Sequence, residues 1–407
     1  MTTEGSGPTR IDYEGRRAEV WSWLPESEIE PDALTQIRNV GSLPCAVGVA
    51  VMPDSHKGYG MPIGTALATQ DAVVPYAVGV DIGCGMIAVR TSLPIPDRDQ
   101  VRAILQRIYE TVPVGQPTKQ DRSAGSHTDR QDSEVIRRWA DDRGDGFQGE
   151  AARIRERADR QLGTLGGGNH FIELQTGDVG LWFMLHTGSR AFGKFICDWY
   201  HKKALAFCEA YHTPLPDKEL AFLSTHTREG TDYLIDMGFA LRYAEESRAR
   251  IEVAVLAAIR EVMGEFTSEY RLETHHNFAA EERHYGKDVV VHRKGAVSTA
   301  NGVDVTIPGS MQTGSYIGVG KPDKRAMNTC AHGAGRRMGR NAMRREHQGV
   351  DIKAEMEAEG IVLVCPPGSD ALDEAGRAYK DIESVMRYQA DLVAPLTHLR
   401  PLGVVKG

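Results

Sequence analysis

Four short stretches join a strong metal ligand to backbone that can approach it closely. In "PYAVGVDIGCGM", Asp81 and Cys84 stand three apart in a glycine-rich turn after an apolar run. "GTLGGGNHFIEL" sets Asn169 and His170 behind three glycines, with Glu173 three residues further on. "MLHTGSR" puts His186 at the end of an apolar run with Arg190 after it, and "ETHHNF" supplies His275 and His276. Glycine has no Cβ, so such segments can close around an ion. Singly these signals are weak: histidines at strand ends are mostly structural, aspartates cap turns, and a lone cysteine is often a small buried hydrophobe. Their recurrence points to a metal centre. Thiolate with imidazole favours zinc, while the carboxylate admits manganese or iron. A shared Cys or Asp could hold two ions, the arrangement used for phosphoryl transfer.

A second group of motifs suits an anion. "VTIPGSMQTGSY" offers Pro308, Gly309, Ser310 and Ser315 in a loop after a strand, with amides and hydroxyls able to face a phosphate. "VHRKGA" places Arg293 and Lys294 at a strand end, and "CAHGAGRRMGR" surrounds His332 with small residues. If a helix begins near Gly333, its N-terminal amides and Arg336 would converge on a phosphate beside that histidine. The bland alternatives are an ordinary turn and solvated basic pairs.

These residues need elements to hold them. Runs such as "AVGVAVM", "MIAVRTSL", "GLWFMLH", "DVVVHRK" and "GIVLVC" read as strands. Helical spacing runs through "PDRDQVRAILQRIYETV", with Asp97 as N-cap, and through "KFICDWYHKKALAFCEAY", Asp232 to Met263 and "DEAGRAYKDIESVMRYQADLV". Strands come singly, without a βαβ rhythm, so the expected fold is α+β with mixed or antiparallel sheets. Residues 115–160 are highly charged and poor in large apolar side chains, which predicts a solvated surface insertion with one or two helices. Motifs lie on both sides of it, so residues 1–407 are read as one domain.

Bulk properties narrow the class. The chain has 407 residues, 41% of them hydrophobic and 26% charged, and a net charge of -8. That is long enough for a large core, and no apolar run reaches the roughly 18 residues a membrane helix needs. "MTTEGSGPTRIDYEGR" lacks a secretory pattern, so the expected compartment is the cytoplasm, and six scattered cysteines without a CxxC pair read as reduced thiols. The acidic balance argues against a broadly basic nucleic-acid coat. Between Lys321 and Glu346, however, Lys321, Lys324, Arg325, Arg336, Arg337, Arg340, Arg344 and Arg345 face only two acids, Asp323 and Glu346.

In order, "DIGCGM", "GGGNHFIE", "LHTGSR", "HHNF", "HRKGA", "IPGSMQTGSY" and "HGAGR" resemble the RtcB family of GTP-dependent RNA ligases; "MPDSHKGYGMPIG", "YKDI" and "VVKG" also fit. The resemblance extends from about Pro53 to the C-terminus. It implies an enzyme that joins RNA ends bearing a 3′-phosphate or 2′,3′-cyclic phosphate to a 5′-hydroxyl, in RNA repair or tRNA splicing. The implied cosubstrate is GTP, the implied cofactor two Mn²⁺ ions in place of zinc, and the implied intermediate a covalent histidine-GMP. An archease-like activator is a possible partner, and no membrane is involved.

Carried over, the resemblance makes His332 the guanylylated nucleophile. It makes Asp81, Cys84, His170, His186 and His276 the metal ligands, with Cys84 bridging; His276 is chosen because it precedes Asn277. The GTP site would draw on Asn169, His170, Phe171, Ile172 and Glu173, with Glu173 reading the base edge. It would continue through His276 and Asn277, then Pro308, Gly309, Ser310, Met311 and Ser315. His332, Gly333, Ala334 and Gly335, with Tyr379 and Lys406, would complete it. Arg190, Lys294 and Arg336 would contact RNA phosphates. The sequence departs from the family pattern at Gln312, Ala331 and Gly339, and Gln312 is expected to narrow the nucleotide loop. The rival reading is a metal-dependent phosphoesterase without nucleotidylation.

Overall fold

Helix Arg98–Thr111 starts where the sequence predicts. The Asp97 side chain accepts from the Gln100 amide at 2.9 Å, and Gln100 returns a bond to the Asp97 amide, a reciprocal cap that fixes the first turn. Thr227 caps the longest helix, Arg228–Met263, and Gly264 ends it. Both pack on one face of an eight-stranded sheet, around Ile104, Leu105, Ile251, Val255 and the strand residues Ile172, Phe183 and Val405. The computed structural model describes residues 7–115, 132–147, 149–369 and 371–407.

Two sheets dominate the fold. The eight-stranded sheet runs in the order Ser268–His275, Gly85–Thr91, Leu181–Thr187, Phe171–Thr176, Val393–Lys406, Ser315–Gly320, Asp304–Pro308, with Val362–Val364 parallel beside Val393–Lys406. The six-stranded sheet runs Thr9–Arg10, Glu19–Ser22, Ala46–His56, Ile63–Thr69, Lys287–Lys294, Asn277–His284. Most pairs are antiparallel, and helices flank the sheets in one large α+β body, as expected. No helix among the described residues is long and apolar enough to cross a membrane.

One residue carries the chain directly from one sheet to the other. Strand Ser268–His275 belongs to the larger sheet and Asn277–His284 to the smaller, so the chain changes sheet at His276. Around it the backbone is tied across: the His276 amide donates to Cys84 O at 3.0 Å, and its carbonyl accepts from Ala296 N at 3.1 Å.

Three expectations change. The segment after residue 131 is no solvated appendage: helices Glu134–Arg143 and Glu150–Gln161 bury Ile136, Trp139 and Ile154, with Phe147 between them, in a core shared with Phe192, Tyr233 and Tyr243. The rest of the insertion, residues 116–131 and Gln148, lies outside the described residues. The helix expected near Gly333 is absent, and helix Arg340–Glu346 starts later. Gly335 sits at φ +69° with its α-carbon packed on Asp54; a Cβ there would come within 2.0 Å of Asp54 O, so the chain turns sharply instead of coiling. Finally, of "DEAGRAYKDIESVMRYQADLV" only Ile382–Tyr388 is α-helical, because Tyr379 bridges to Arg336 and draws the preceding residues into short turns.

Trp139→Ala tests the integration of residues 133–160. Emptying so large a buried site costs about 3–5 kcal/mol, against roughly 0.5 or less for the exposed Arg138→Ala, read by urea unfolding. Equal stabilities would mean that the helices are an appendage.

Candidate active site

Strand register brings the expected ligands to one end of the larger sheet. Phe171 pairs with His186, Met86 with His186, and Gly85 with both Thr187 and His275, so Cys84, His170, His186 and His276 gather where four strands begin or end. Cys84 Sγ lies 3.1 Å from His186 Nε2 and 3.6 Å from His170 Nε2. His186 Nε2 is 3.3 Å from His276 Nε2, and His170 Nε2 is 3.1 Å from Asp81 Oδ2. Two candidate metal triads result, Cys84–His186–His276 and Asp81–Cys84–His170, and they share the sulfur. His275 is not part of either; it faces Glu245 and Arg248.

The donor chemistry fits a cation. His170 Nδ1 sits 2.9 Å from Leu165 O and His186 Nδ1 3.2 Å from Asn169 O, which assigns the proton to Nδ1 and leaves each Nε2 lone pair facing the cluster. Burial, reinforced by neighbouring histidines, holds His186 and His276 well below the ordinary imidazole pKa, so both are neutral. Burial and then the Asp81 charge push the Cys84 thiol up. A bound metal ion would displace that proton. The single Cys84 proton cannot serve His170, His186 and Asp81 together, so acceptors in the cluster are left facing one another, which is unfavourable unless a cation intervenes.

Arg248, which sequence reading passes over, braces this end of the sheet. It is fully buried in the middle of the longest helix and donates to Gly83 O at 2.7 Å and Thr187 O at 3.0 Å, the carbonyls beside Cys84 and His186. Asn277 closes the other side: its Nδ2 donates to Asp81 O and its Oδ1 accepts from Gly295 N. The Asn277 amide is therefore engaged in holding two loops together.

His332 stands next to the cluster, its ring centroid 4.8 Å from that of His276. Its Nδ1 lies 2.7 Å from Asp54 Oδ2, and its backbone amide donates to the same oxygen at 3.2 Å. Asp54 is fully buried, on the strand before the "SHKGYG" loop, while His332 faces a cavity of about 850 Å³. The aspartate fixes the ring and its tautomer, leaving Nε2 without a hydrogen bond among the described residues. Sequence reading missed Asp54, although "MPDSHKGYG" carried it; 278 positions separate it from His332.

The cavity unites most of the remaining candidates. Asn169, Phe171, Glu173, Pro308 to Met311, Ser315, Gly333 to Arg336, Tyr379 and Lys406 line it with Asp81, Cys84, His186, His276 and Lys294. Burial raises the Glu173 carboxyl to about 7, against the opposing effects of Gln175 and Lys406. Gln175 donates to both Glu173 Oε1 at 2.5 Å and Ser315 Oγ at 3.0 Å. Glu374, also missed, is the hub of this wall. Despite its burial it stays near 2, because Lys406, Arg340, Tyr379 and Arg336 surround it.

Several candidates sit differently from expectation. Ile172 alternates away from the cavity into the core, leaving only its backbone on the strand. Arg190 is outside the cavity; its amide donates to Asp81 Oδ1 and its guanidinium packs over Gly166. Lys294 faces the cavity, but its ammonium donates to the carbonyls of Tyr59, Met61 and Tyr76. Arg336 is tied to Glu374, Asp373 O and Met338 O. The Gly309 and Ser310 amides bond within their own loop, to Gly314 O and Thr313 Oγ1, so they form no open anion cradle. Gln312 does not narrow the cavity: it points away from it, accepting from Gly376 N at 2.8 Å and donating to Glu359.

Comparison with known proteins agrees with this geometry. The family model described as "tRNA-splicing ligase RtcB" matches residues 36–407. The chain is 34% identical to the RNA-splicing ligase RtcB of Escherichia coli K12, covering 96% of this chain and 98% of that protein. It is 32% identical to the tRNA-splicing ligase RtcB of Archaeoglobus fulgidus, over 93% and 92% respectively. With the Mycobacterium tuberculosis RNA-splicing ligase RtcB the identity is 31%, over 91% of this chain and all of the relative. A match over so much of the chain, with the ligand cluster and His332 meeting in one cavity, shows that it belongs to the RtcB family of RNA ligases.

Proposed function

We propose that this RNA ligase joins RNA 3′-phosphate or 2′,3′-cyclic phosphate ends to 5′-hydroxyl ends, using GTP, two Mn²⁺ ions and a GMP-histidine formed on His332. The observation that carries this reading is the clamp on His332: Asp54 holds Nδ1 while Nε2 faces the cavity beside the ligand cluster. Asp81, Cys84, His170, His186 and His276 would hold the metal, with Cys84 common to both ions. When bound, the metal supplies neutralisation of charge on phosphate oxygens.

The side chains then have distinct tasks. His332 Nε2 attacks the α-phosphorus of GTP; the N–P bond forms as the bond to pyrophosphate breaks. The proton on Nδ1 stays in place, and Asp54 stabilises the positive charge that develops on the ring. Glu173, once ionised, accepts from the N–H edge of guanine, and Lys406 and Tyr379 flank the same wall. An oxygen of the RNA 3′-phosphate next displaces His332 from phosphorus, leaving the RNA end activated as a guanylate anhydride. The 5′-hydroxyl attacks the RNA phosphorus, GMP leaves, and the strand is closed. A cyclic phosphate end must first be hydrolysed to the 3′-phosphate. The cytoplasm and tRNA maturation suit this substrate, and an archease-like activator would act on the guanylylation step.

Incubation with GTP labelled at the α-phosphate and Mn²⁺, followed by denaturing electrophoresis, reads the intermediate directly. Wild type should keep the label, His332→Ala should lose it, and Asp54→Asn should slow its uptake by at least about 100-fold. A wild type that cleaves phosphoesters but takes up no label would favour the phosphoesterase. For the metal centre, Cys84→Ala should retain less Mn²⁺ after dialysis than either His170→Ala or His276→Ala, measured by mass spectrometry of the metal. Equal losses would refute the shared sulfur.

A further inference from the structure

We propose that Tyr59 is a stacking platform for an RNA base at the mouth of the catalytic cavity. This rests on the RNA-ligase reading and adds a contact for the substrate strand outside the metal and nucleotide walls. Tyr59 lines the cavity yet is 65% exposed, and neither its ring nor its hydroxyl has a partner among the described residues. Isolated exposed aromatic residues are common on protein surfaces and need no explanation. What distinguishes Tyr59 is how firmly its backbone is held.

The loop Lys57–Met61 joins two strands of the smaller sheet and is pinned at every residue around the ring. Gln36 reads both sides of Gly58, donating to its carbonyl at 2.7 Å and accepting from its amide at 3.1 Å. The Gly60 amide donates to the Glu219 carboxylate. Tyr59 O accepts from Met61 N at 2.7 Å and from the buried ammonium of Lys294 at 2.5 Å. The two glycines flanking the tyrosine are there for space: a Cβ on Gly58 would sit 2.6 Å from Met61 O, and one on Gly60, at φ +65°, 2.9 Å from Glu219 O. A rigid backbone therefore presents an unpartnered aromatic face to solvent at the entrance to the cavity.

That arrangement suits a nucleobase. Every base has a π-face, so stacking on an aromatic ring binds RNA without demanding a sequence, and pre-ordering the loop lowers the entropy cost of the contact. A ligase that must accept ends of differing sequence needs that kind of grip. Lys294, which holds Tyr59 O, also spans to Met61 O and Tyr76 O, so the platform is fixed relative to the ligand cluster that lines the same cavity.

The test uses full-length protein and short RNAs carrying a 3′-phosphate or a 5′-hydroxyl, each with 5-iodouridine at that terminal nucleotide. Irradiation should cross-link one of them to Tyr59, located by mass spectrometry of the peptide. Tyr59→Ala should weaken RNA binding roughly tenfold, while Tyr59→Phe and Tyr59→Trp keep it and all three take up GMP at the wild-type rate. Unchanged affinity in Tyr59→Ala, equal losses in Tyr59→Phe and Tyr59→Ala, or a parallel loss of GMP uptake would overturn the proposal. A wild type that binds no GMP but cross-links at Tyr59 would refute the His332 mechanism and leave the platform standing.

Discussion

Five electron-pair donors crowd into one cluster, four of them buried, and nothing inside the cluster can donate to all of them. His170 and His186 turn their Nε2 atoms toward Cys84 and Asp81 at distances of 3.1–3.6 Å, and His276 Nε2 lies 3.3 Å from His186 Nε2. Held without a proton or cation between them, such groups repel. The surrounding fold is arranged to resist that repulsion. Strand register fixes three donors at one sheet end, Arg248 ties the carbonyls of Gly83 and Thr187, and the sheet change at His276 locks the fourth strand in place. The cluster is thus preorganised at a cost that binding a cation relieves.

The same economy explains His332. An imidazole in solution exposes either nitrogen and rotates freely. Here a fully buried carboxylate takes both the ring Nδ1 and the backbone amide, so a single oxygen determines tautomer and orientation. Gly335 is part of the same device: only a residue without a Cβ lets the chain fold back onto Asp54. The irregular backbone after His332, where a helix was expected, is the consequence.

Much of the site was legible because its residue types are rare in those settings. Residue types and spacing singled out Asp81, Cys84, His170, His186 and the pair His275 and His276 as candidates, and the resemblance to the RtcB family chose His276 from that pair. The geometry sets His276, and not His275, beside Cys84 and His186, because neighbouring residues face opposite ways and His275 turns toward Glu245 and Arg248. Asp54, Arg248 and Glu374 were not legible. Each acts through a partner far away in sequence, and a buried aspartate in "MPDSH" looks like any turn residue until the fold brings His332 to it. The charged insertion misled for the opposite reason. Its composition is dominated by surface residues, while Ile136, Trp139, Phe147 and Ile154 tie its two described helices to the core.

The basic excess between Lys321 and Arg345 shows why counting charges overstates free positive surface. Arg336 and Arg340 both reach Glu374, and Arg344 reaches Asp373, so much of the excess at the cavity wall is already paired with acids from outside the counted window. A carboxylate held near 2 stays ionised at any physiological pH, and it gathers two guanidinium groups, a phenol and the Lys406 ammonium into one network. An anion entering here would therefore compete with Glu374 for these donors. Because the two guanidiniums answer to the same carboxylate, drawing one toward a phosphate loosens the constraint on the other. Anion binding along this wall would consequently be an exchange among neighbours within a fixed network, more selective for geometry than a row of free lysines.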